Sequence, residues 1–194
     1  MVDKFELRRE IFHVLVGILF LIIVMFFPYG KLFLFIILIL GMFASFLSLY
    51  FKIPLISRCL CLFERDCNKS LPGKGVLFFF MGSLLSLQLF EKEIALAAIM
   101  ILTFADPIAH FTGLNFGKTK IPLSRRKNIE GTLAGVIAGT IAASVFVSFW
   151  LAFLGSLFAM SLELAGLAMA EKEIDDNLLI PLIAGTIMHL LILI

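Results

Sequence analysis

The feature that most constrains this chain is the return, along its whole length, of apolar runs close to the thickness of a bilayer. Seven can be marked off, at roughly 11–28, 31–51, 75–90, 94–113, 131–154, 156–170 and 178–194. A full helical span takes about 20 predominantly apolar residues, and three of the runs are short enough to imply tilt or partial burial. In hydrocarbon every backbone N–H and C=O must be paired within the structure, and no alternating strand pattern with barrel-like turns occurs, so helices are what remains. The expected fold is therefore all-α, a polytopic membrane helical bundle of about seven transmembrane helices forming a single integral-membrane domain over 1–194. With 61% hydrophobic and 15% charged residues and a mean hydropathy of +1.10, the chain is not a water-soluble globule. Membrane lipids are its expected surroundings, and no nucleic-acid partner is expected.

The first run follows Arg8 and Arg9 but leads into "MFFPYGKLF" rather than a small-residue cleavage site, so it reads as a retained span. Basic residues are kept in cytoplasmic loops. With the N-terminus inside, fourteen of the sixteen lysines and arginines fall on inner segments, leaving only Lys31 and Lys92 outside. This predicts a cytoplasmic N-terminus and a C-terminus outside, with short outer turns near 29–31, 91–93 and 155–156. The inner loops, 52–74, 114–130 and 171–177, are long or charged, so function is expected on the cytoplasmic face. The first of them reads as a short interfacial helix or a plain connector. Its three thiols, Cys59, Cys61 and Cys67, lack the fourth ligand of a structural zinc site and are taken as free.

"GLNFGKTKIPLSRRKNIEG", 113–131, is a hydrophilic island in this apolar chain. It is not a nucleotide-binding P-loop: three residues rather than four separate Gly113 from Gly117, and no strand leads in. It carries Lys118, Lys120, Arg125, Arg126 and Lys127 with one carboxylate, Glu130. Attraction to anionic headgroups would account for the cations alone but not for Glu130. Together with Asp106 at the end of the preceding span, it makes what a magnesium–polyphosphate site requires, oxygen ligands for the metal and cations for the phosphates. The next helix begins at Gly131, and its N-terminal N–H groups add to an anion site. Gly131, Gly135 and Gly139 share one face for close packing. Asp175, Asp176 and Asn177 precede the last span as a helix cap on the same side of the membrane.

Charges inside a span are functional candidates by default. Asp106 and His110, four apart, lie on one helical face, and Pro107 between them frees the carbonyl of Thr103, which predicts a kinked or broken helix. Glu10 and His13 are expected to pair. Glu163 is read as a packing residue whose span places it away from the inner face, and His189 as lying toward the outer side.

Four stretches in order, "RREIFHVLVG", "ADPIAHFTGLNFGKTK", "KNIEGTLAG" and "DNLLIPLIAG", resemble the motifs of the CTP-dependent lipid kinases: dolichol kinase, phytol kinase and CTP-dependent diacylglycerol kinase. The resemblance spans nearly the full chain. It implies that Asp106, Gly113, Gly117 and Lys118 match the family's Asp and Gly-Gly-Lys stretch, that Lys127, Glu130 and Gly131 match its Lys-x-x-Glu-Gly motif, and that Asp176, Asn177 and Pro181 match its Asp-Asn-x-x-x-Pro motif. Arg8, Arg9, His13 and Gly17 match the N-terminal one. Asn128 and Thr132 stand where the family often has Ser. Phosphatidate cytidylyltransferases are also membrane proteins that use CTP with magnesium, but their His-Gly-Gly and Asp-Arg-x-Asp elements do not occur here.

The expected function is transfer of the γ-phosphoryl group of CTP to a polyprenol hydroxyl at the cytoplasmic face. Gly113, Gly117, Lys118, Lys120, Arg125, Arg126, Lys127, Gly131 and Asn177 would bind the nucleotide, and Asp106, Glu130 and Asp176 would hold Mg2+. Asp176 is the expected general base or a further metal ligand, with His13 as substitute. The alternatives are a cytidylyltransferase making a CDP-activated lipid, and a lipid or proton-coupled transporter, for which an inverted repeat would be expected.

Overall fold

The computed structural model describes residues 4–51, 72–119, 127–165 and 175–193. They form seven helices: α1 (Lys4–Phe26), α2 (Gly30–Tyr50), α3 (Lys74–Leu89), α4 (Lys92–Phe116), α5 (Ile129–Ala143), α6 (Phe149–Ala165) and α7 (Asp176–Leu193). Four of them, α1, α2, α4 and α7, are long and apolar enough to cross a membrane, and the other three are shorter apolar helices. The chain is an all-α, multi-pass membrane bundle. The suggested interfacial helix in 52–74 and all three cysteines lie outside the described residues, apart from its last residues, Pro72 to Lys74.

Local chemistry sets several helix starts. Gly73 precedes α3 with φ 77°, a left-handed conformation that a residue with a Cβ adopts only at a cost. Asp175 caps α7, its Oδ1 accepting from the backbone N–H of Asn177 at 3.2 Å and from Asn177 Nδ2 at 2.9 Å, which satisfies donors the first turn leaves free. Asn128, at the start of α5, uses its side chain elsewhere: Nδ2 donates to the carbonyl of Gly113 at 2.9 Å and so ties the start of α5 to the end of α4.

At the centre lies α4, packed against α1, α3, α5, α6 and α7. Its residues from Ile94 to Ile99 are all buried. By contrast α2 turns Leu32, Phe33, Phe35, Ile36 and Phe43 outward, as a lipid-facing helix does. Between spans lipid competes with protein for apolar surface, so association depends on close packing. The α4–α5 contact is one such case. A Cβ on Gly131 would fall 2.5 Å from the Ala109 carbonyl oxygen, and one on Gly135 2.9 Å from the Ala109 Cβ. The shared face of Gly131, Gly135 and Gly139 thus packs as expected. The echoing Gly-Thr pairs in α5 and α7 are packing devices as well. Thr140 and Thr186 each donate to the carbonyl four residues earlier, at 2.7 Å, and Gly185 leaves room for the ring of Phe90.

Two expectations are narrowed or corrected. Of the kinked or broken helix expected at Pro107 the break does not occur, because α4 runs without interruption from Lys92 to Phe116. One turn before the proline, His13 Nε2 of α1 lies 3.3 Å from the Leu102 carbonyl oxygen. The turn expected at 155–156 lies instead between Ala143 and Phe149. There Ser144 Oγ donates to the carbonyl of Ile141 at 2.8 Å, and the Ser148 carbonyl accepts from Ala152 at 3.0 Å, opening α6. Gly155 sits inside α6, where a Cβ would meet Met188 at 2.9 Å. This shift reverses the placement of Glu163, which lies in the last turn of α6 at the same end of the bundle as the starts of α5 and α7.

Candidate active site

One end of the bundle gathers the starts of α1, α3, α5 and α7 with the ends of α4 and α6. Cross-helix contacts fix this end: Glu10 with His110, Lys74 with Asp175 at 3.5 Å, and Lys127 with both Glu163 and Asp176. Every sequence-derived candidate that is described and carries a charge lies at this end.

Its centre is Lys127. The ammonium donates to Glu163 Oε1 at 2.7 Å and to Asp176 Oδ2 at 2.8 Å, bridging α6 and α7 from the strand of chain that precedes α5. Burial works against its charge, but the Glu163 and Asp176 carboxylates outweigh that and hold Lys127 above the ordinary lysine range. Glu163 is 8% exposed and Asp176 40%, so the pair runs from the interior to the surface. Asp106, on α4, stands at this end as well, within electrostatic range of Asp176 and Lys127. Among the described residues no hydrogen bond or salt bridge occupies the Asp106 carboxylate.

The expected site is therefore assembled in part. Lys127 and Asp176 meet directly at 2.8 Å, Asp106 lies at the same end with no hydrogen bond or salt bridge to them among the described residues, and the His13 ring is edge-on to Phe79 at 5.1 Å. Glu130 is not part of this group. Its Oε1 accepts from the Thr119 N–H at 3.0 Å and from Thr119 Oγ1 at 2.8 Å, which straps the segment after α4 to the first turn of α5. Gly113, Gly117 and Gly131 serve backbone approach: a Cβ on Gly117 would collide with the Asn128 amide, and one on Gly131 with α4. Lys118 is exposed beside the Glu130 strap. Asn177 holds Asp175, while its Oδ1 is buried with no donor among the described residues. Lys120, Arg125 and Arg126 lie outside the described residues.

Two carboxylates of this end were not singled out as site residues in the sequence. Glu163 was missed because the α5–α6 turn was misplaced. Glu10 pairs not with His13 but with Arg9 at 2.5 Å and with His110 Nδ1 at 3.1 Å. With Glu6 these groups lie within 4.8 Å of one another, and the Arg9 guanidinium, 3.2 Å from Glu6, already supplies a positive charge there. Glu10 entered the sequence reading only as a partner for His13, and no local spacing ties it to His110, a hundred residues away. Beside this cluster an apolar groove of about 280 Å³ lies between α1 and α4, bordered by Glu10 and walled by Ile11, Val14, Leu15, Pro107 and Phe111.

Chemically this end can hold cations with carboxylate oxygens, present Lys127 to an anion, and accept a proton at Asp176, with a hydrocarbon-lined groove alongside. No family model matches the chain, and no solved structure matches it. Across 186 residues, 95% of its length, it is 27% identical to an uncharacterized protein of Methanocaldococcus jannaschii, 93% of which is covered. It is similar to the CTP-dependent diacylglycerol kinase 1 of Schizosaccharomyces pombe, 24% identical over 144 residues, which cover 66% of this chain and 64% of that protein. A 60-residue stretch, 31% of this chain, is 32% identical to the CTP-dependent diacylglycerol kinase 1 of Eremothecium gossypii, of which it covers 19%. The chain thus spans less than two thirds of each kinase it matches.

Proposed function

We propose that this protein is a CTP-dependent lipid kinase whose active site is the charged end of the bundle, facing the cytoplasm. The observation that carries the reading is the meeting of Lys127, Glu163 and Asp176 from three separate parts of the chain, at the end of the bundle where Asp106 also lies. The similarity to two CTP-dependent diacylglycerol kinases supports the choice of nucleotide and acceptor class. The weight of lysine and arginine on the loops of this end supports its orientation.

In this reading CTP approaches from the aqueous side. Lys127, with Lys118 and the basic residues of 120–126, neutralises its phosphates, and the N-terminal N–H groups of α5 add to the anion site. The lipid alcohol lies with its chain in the groove between α1 and α4 and its hydroxyl near Asp106. The hydroxyl oxygen attacks the γ-phosphorus, the bond from that phosphorus to the β–γ bridging oxygen breaks, CDP departs, and the hydroxyl proton passes to the Asp176 carboxylate. Catalysis here is positioning and charge neutralisation, since phosphoryl transfer leaves the protein little covalent chemistry to perform. Magnesium belongs to the same proposal. Asp106 and Asp176 offer the hard oxygen ligands it takes, and when bound it would offset the charge of the phosphates.

The acceptor is proposed to be a polyprenol, as the resemblance of the motifs implies. Diacylglycerol is the second reading, favoured by the names of the two kinases the chain resembles. Purified protein in detergent with magnesium, γ-labelled CTP and separate dolichol, geranylgeraniol, phytol and diacylglycerol tests both. A labelled lipid phosphate with release of CDP is the expected product, and the best acceptor decides between the two. Formation of a CDP-lipid with loss of pyrophosphate would replace the reading with a cytidylyltransferase.

A further inference from the structure

The four residues that lead into α5 are each fixed to another part of the chain. Lys127 reaches Glu163 on α6 and Asp176 on α7, and Asn128 donates to the Gly113 carbonyl near the end of α4. The Ile129 N–H donates to the Thr119 carbonyl at 3.2 Å. Glu130 takes Thr119 from its other side: Oε1 accepts from the backbone N–H at 3.0 Å and from the hydroxyl at 2.8 Å, and Oε2 shares the N–H at 3.2 Å. Thr119 is thus held at its carbonyl, its amide and its hydroxyl by two consecutive residues of the first turn of α5. Hydrogen bonds to a carboxylate are charge-assisted and fix geometry as well as charge. Core packing does not explain the clasp, because Thr119 is exposed and Glu130 only half-buried. What it joins is the backbone that carries Lys118, one residue before Thr119, and the turn that follows Lys127.

We propose that Glu130 is a positioning residue for the nucleotide: as a hydrogen-bond acceptor for Thr119 it holds Lys118 against the start of α5, so that Lys118 and Lys127 are presented together to one triphosphate. The inference rests on the nucleotide half of the kinase reading. It gives Glu130 a task that needs its oxygens as acceptors, in place of the magnesium ligand or catalytic carboxylate that its motif suggests. A carboxylate whose Oε1 already takes an N–H and a hydroxyl is turned toward the protein's own backbone, and Lys118 and Lys127 supply the charge that meets the phosphates.

The test is equilibrium binding of labelled CTP with magnesium, without lipid, to the full chain in detergent. Glu130→Gln keeps an acceptor oxygen for Thr119 and Glu130→Ala does not, while both remove the same charge, so the difference between them isolates the clasp. Glu130→Gln is expected to bind CTP within about threefold of wild type, and Glu130→Ala at least about fivefold more weakly than Glu130→Gln, the scale of one hydrogen bond. In turnover the loss should appear in the KM for CTP with kcat kept, as for an interaction made equally in the ground and transition states. Equal weakening of both variants with a raised magnesium requirement would make the carboxylate a metal ligand, and equal tightening would make it a counter-charge. Either result, a fall in kcat alone, or no saturable CTP in the wild type would overturn the proposal. Should Glu130→Ala not fold, Thr119→Val, which loses the hydroxyl donor, should bind CTP about threefold more weakly than Thr119→Ser, which keeps it; equal binding by the two would overturn the proposal. Transfer of γ-label is read separately. A chain that binds CTP in the expected order yet transfers no label keeps the clasp and loses the kinase reading, whereas transfer with equal CTP affinity in Glu130→Gln and Glu130→Ala loses the clasp alone.

Discussion

The two ends of the bundle use similar residues to opposite effect. At the far end Glu91, Lys92 and Glu93 are exposed at a short turn between α3 and α4, and Lys31 donates to the carbonyl of Leu87 at 3.0 Å. Three of these charges are exposed in one turn, and Lys31 reaches across from α2 to a backbone oxygen of α3. At the near end, charges from α1, α4, α6, α7 and the segment before α5 converge, some of them buried, on Lys127, Asp106 and the Glu10–His110 pair. A charge near a membrane surface is ordinary. Convergence from several helices, with oxygens left unpaired, is what separates a site from a solvated turn.

The sharpest break of this comparison is removal of a converging carboxylate. Asp106→Asn and Asp176→Asn are each expected to lower phosphoryl transfer by about 100-fold or more, the scale of losing one group that offsets charge in the transition state, as read by label transfer at saturating CTP. Next comes Lys127→Met, which strands Glu163. A stability loss of about 3–5 kcal/mol is expected from breaking a buried ion pair on one side, measured by denaturant unfolding in micelles. The double change Lys127→Met with Glu163→Leu should recover most of it, because removing both partners leaves no orphaned charge.

The same lysine sets a pH signature. Its folded pKa lies above the ordinary 10.5, so its contribution to stability is complete below that value and is lost as pH rises through the higher folded value. Thermal midpoints of the wild type should therefore fall in alkali more steeply than those of the double variant. Smaller again is Gly131→Val, expected to cost about 1–3 kcal/mol by overpacking α5 on the Ala109 backbone, seen as a lower melting temperature. The smallest effect belongs to the far end, where Glu91→Gln and Glu93→Gln should leave turnover within about twofold.

Much of this was written in the chain's pattern, and the failures have physical causes. Span-length apolar runs specify helices because hydrocarbon allows little else, and the small-residue face of α5 predicts its close approach to α4. Asp106 stands out as a charge within a span, Lys127 as a cation of the hydrophilic island 113–131, and Asp176 as part of the Asp-Asp-Asn before the last span. The α5–α6 turn did not stand out. "SVFVS" is nearly as apolar as the helices it joins, and only Ser144 and Ser148 mark it. Dividing the run at 131–154 there, rather than at Gly155, yields two helices of similar length and brings Glu163 to the charged end. Glu130 misled in the other direction, since its place in a motif carries no information about whether a neighbouring hydroxyl such as that of Thr119 already holds it.

The central claim is that the charged end transfers the γ-phosphoryl group of CTP to a lipid alcohol. It is tested most directly by giving wild type and Asp106→Asn CTP labelled in turn at the α and γ positions, with magnesium and a lipid acceptor, and following the label into the lipid. The account predicts γ-label in a lipid phosphate, α-label only in CDP, and loss of both products in the variant. Label from the α position entering the lipid, or undiminished γ-transfer by Asp106→Asn, would contradict it.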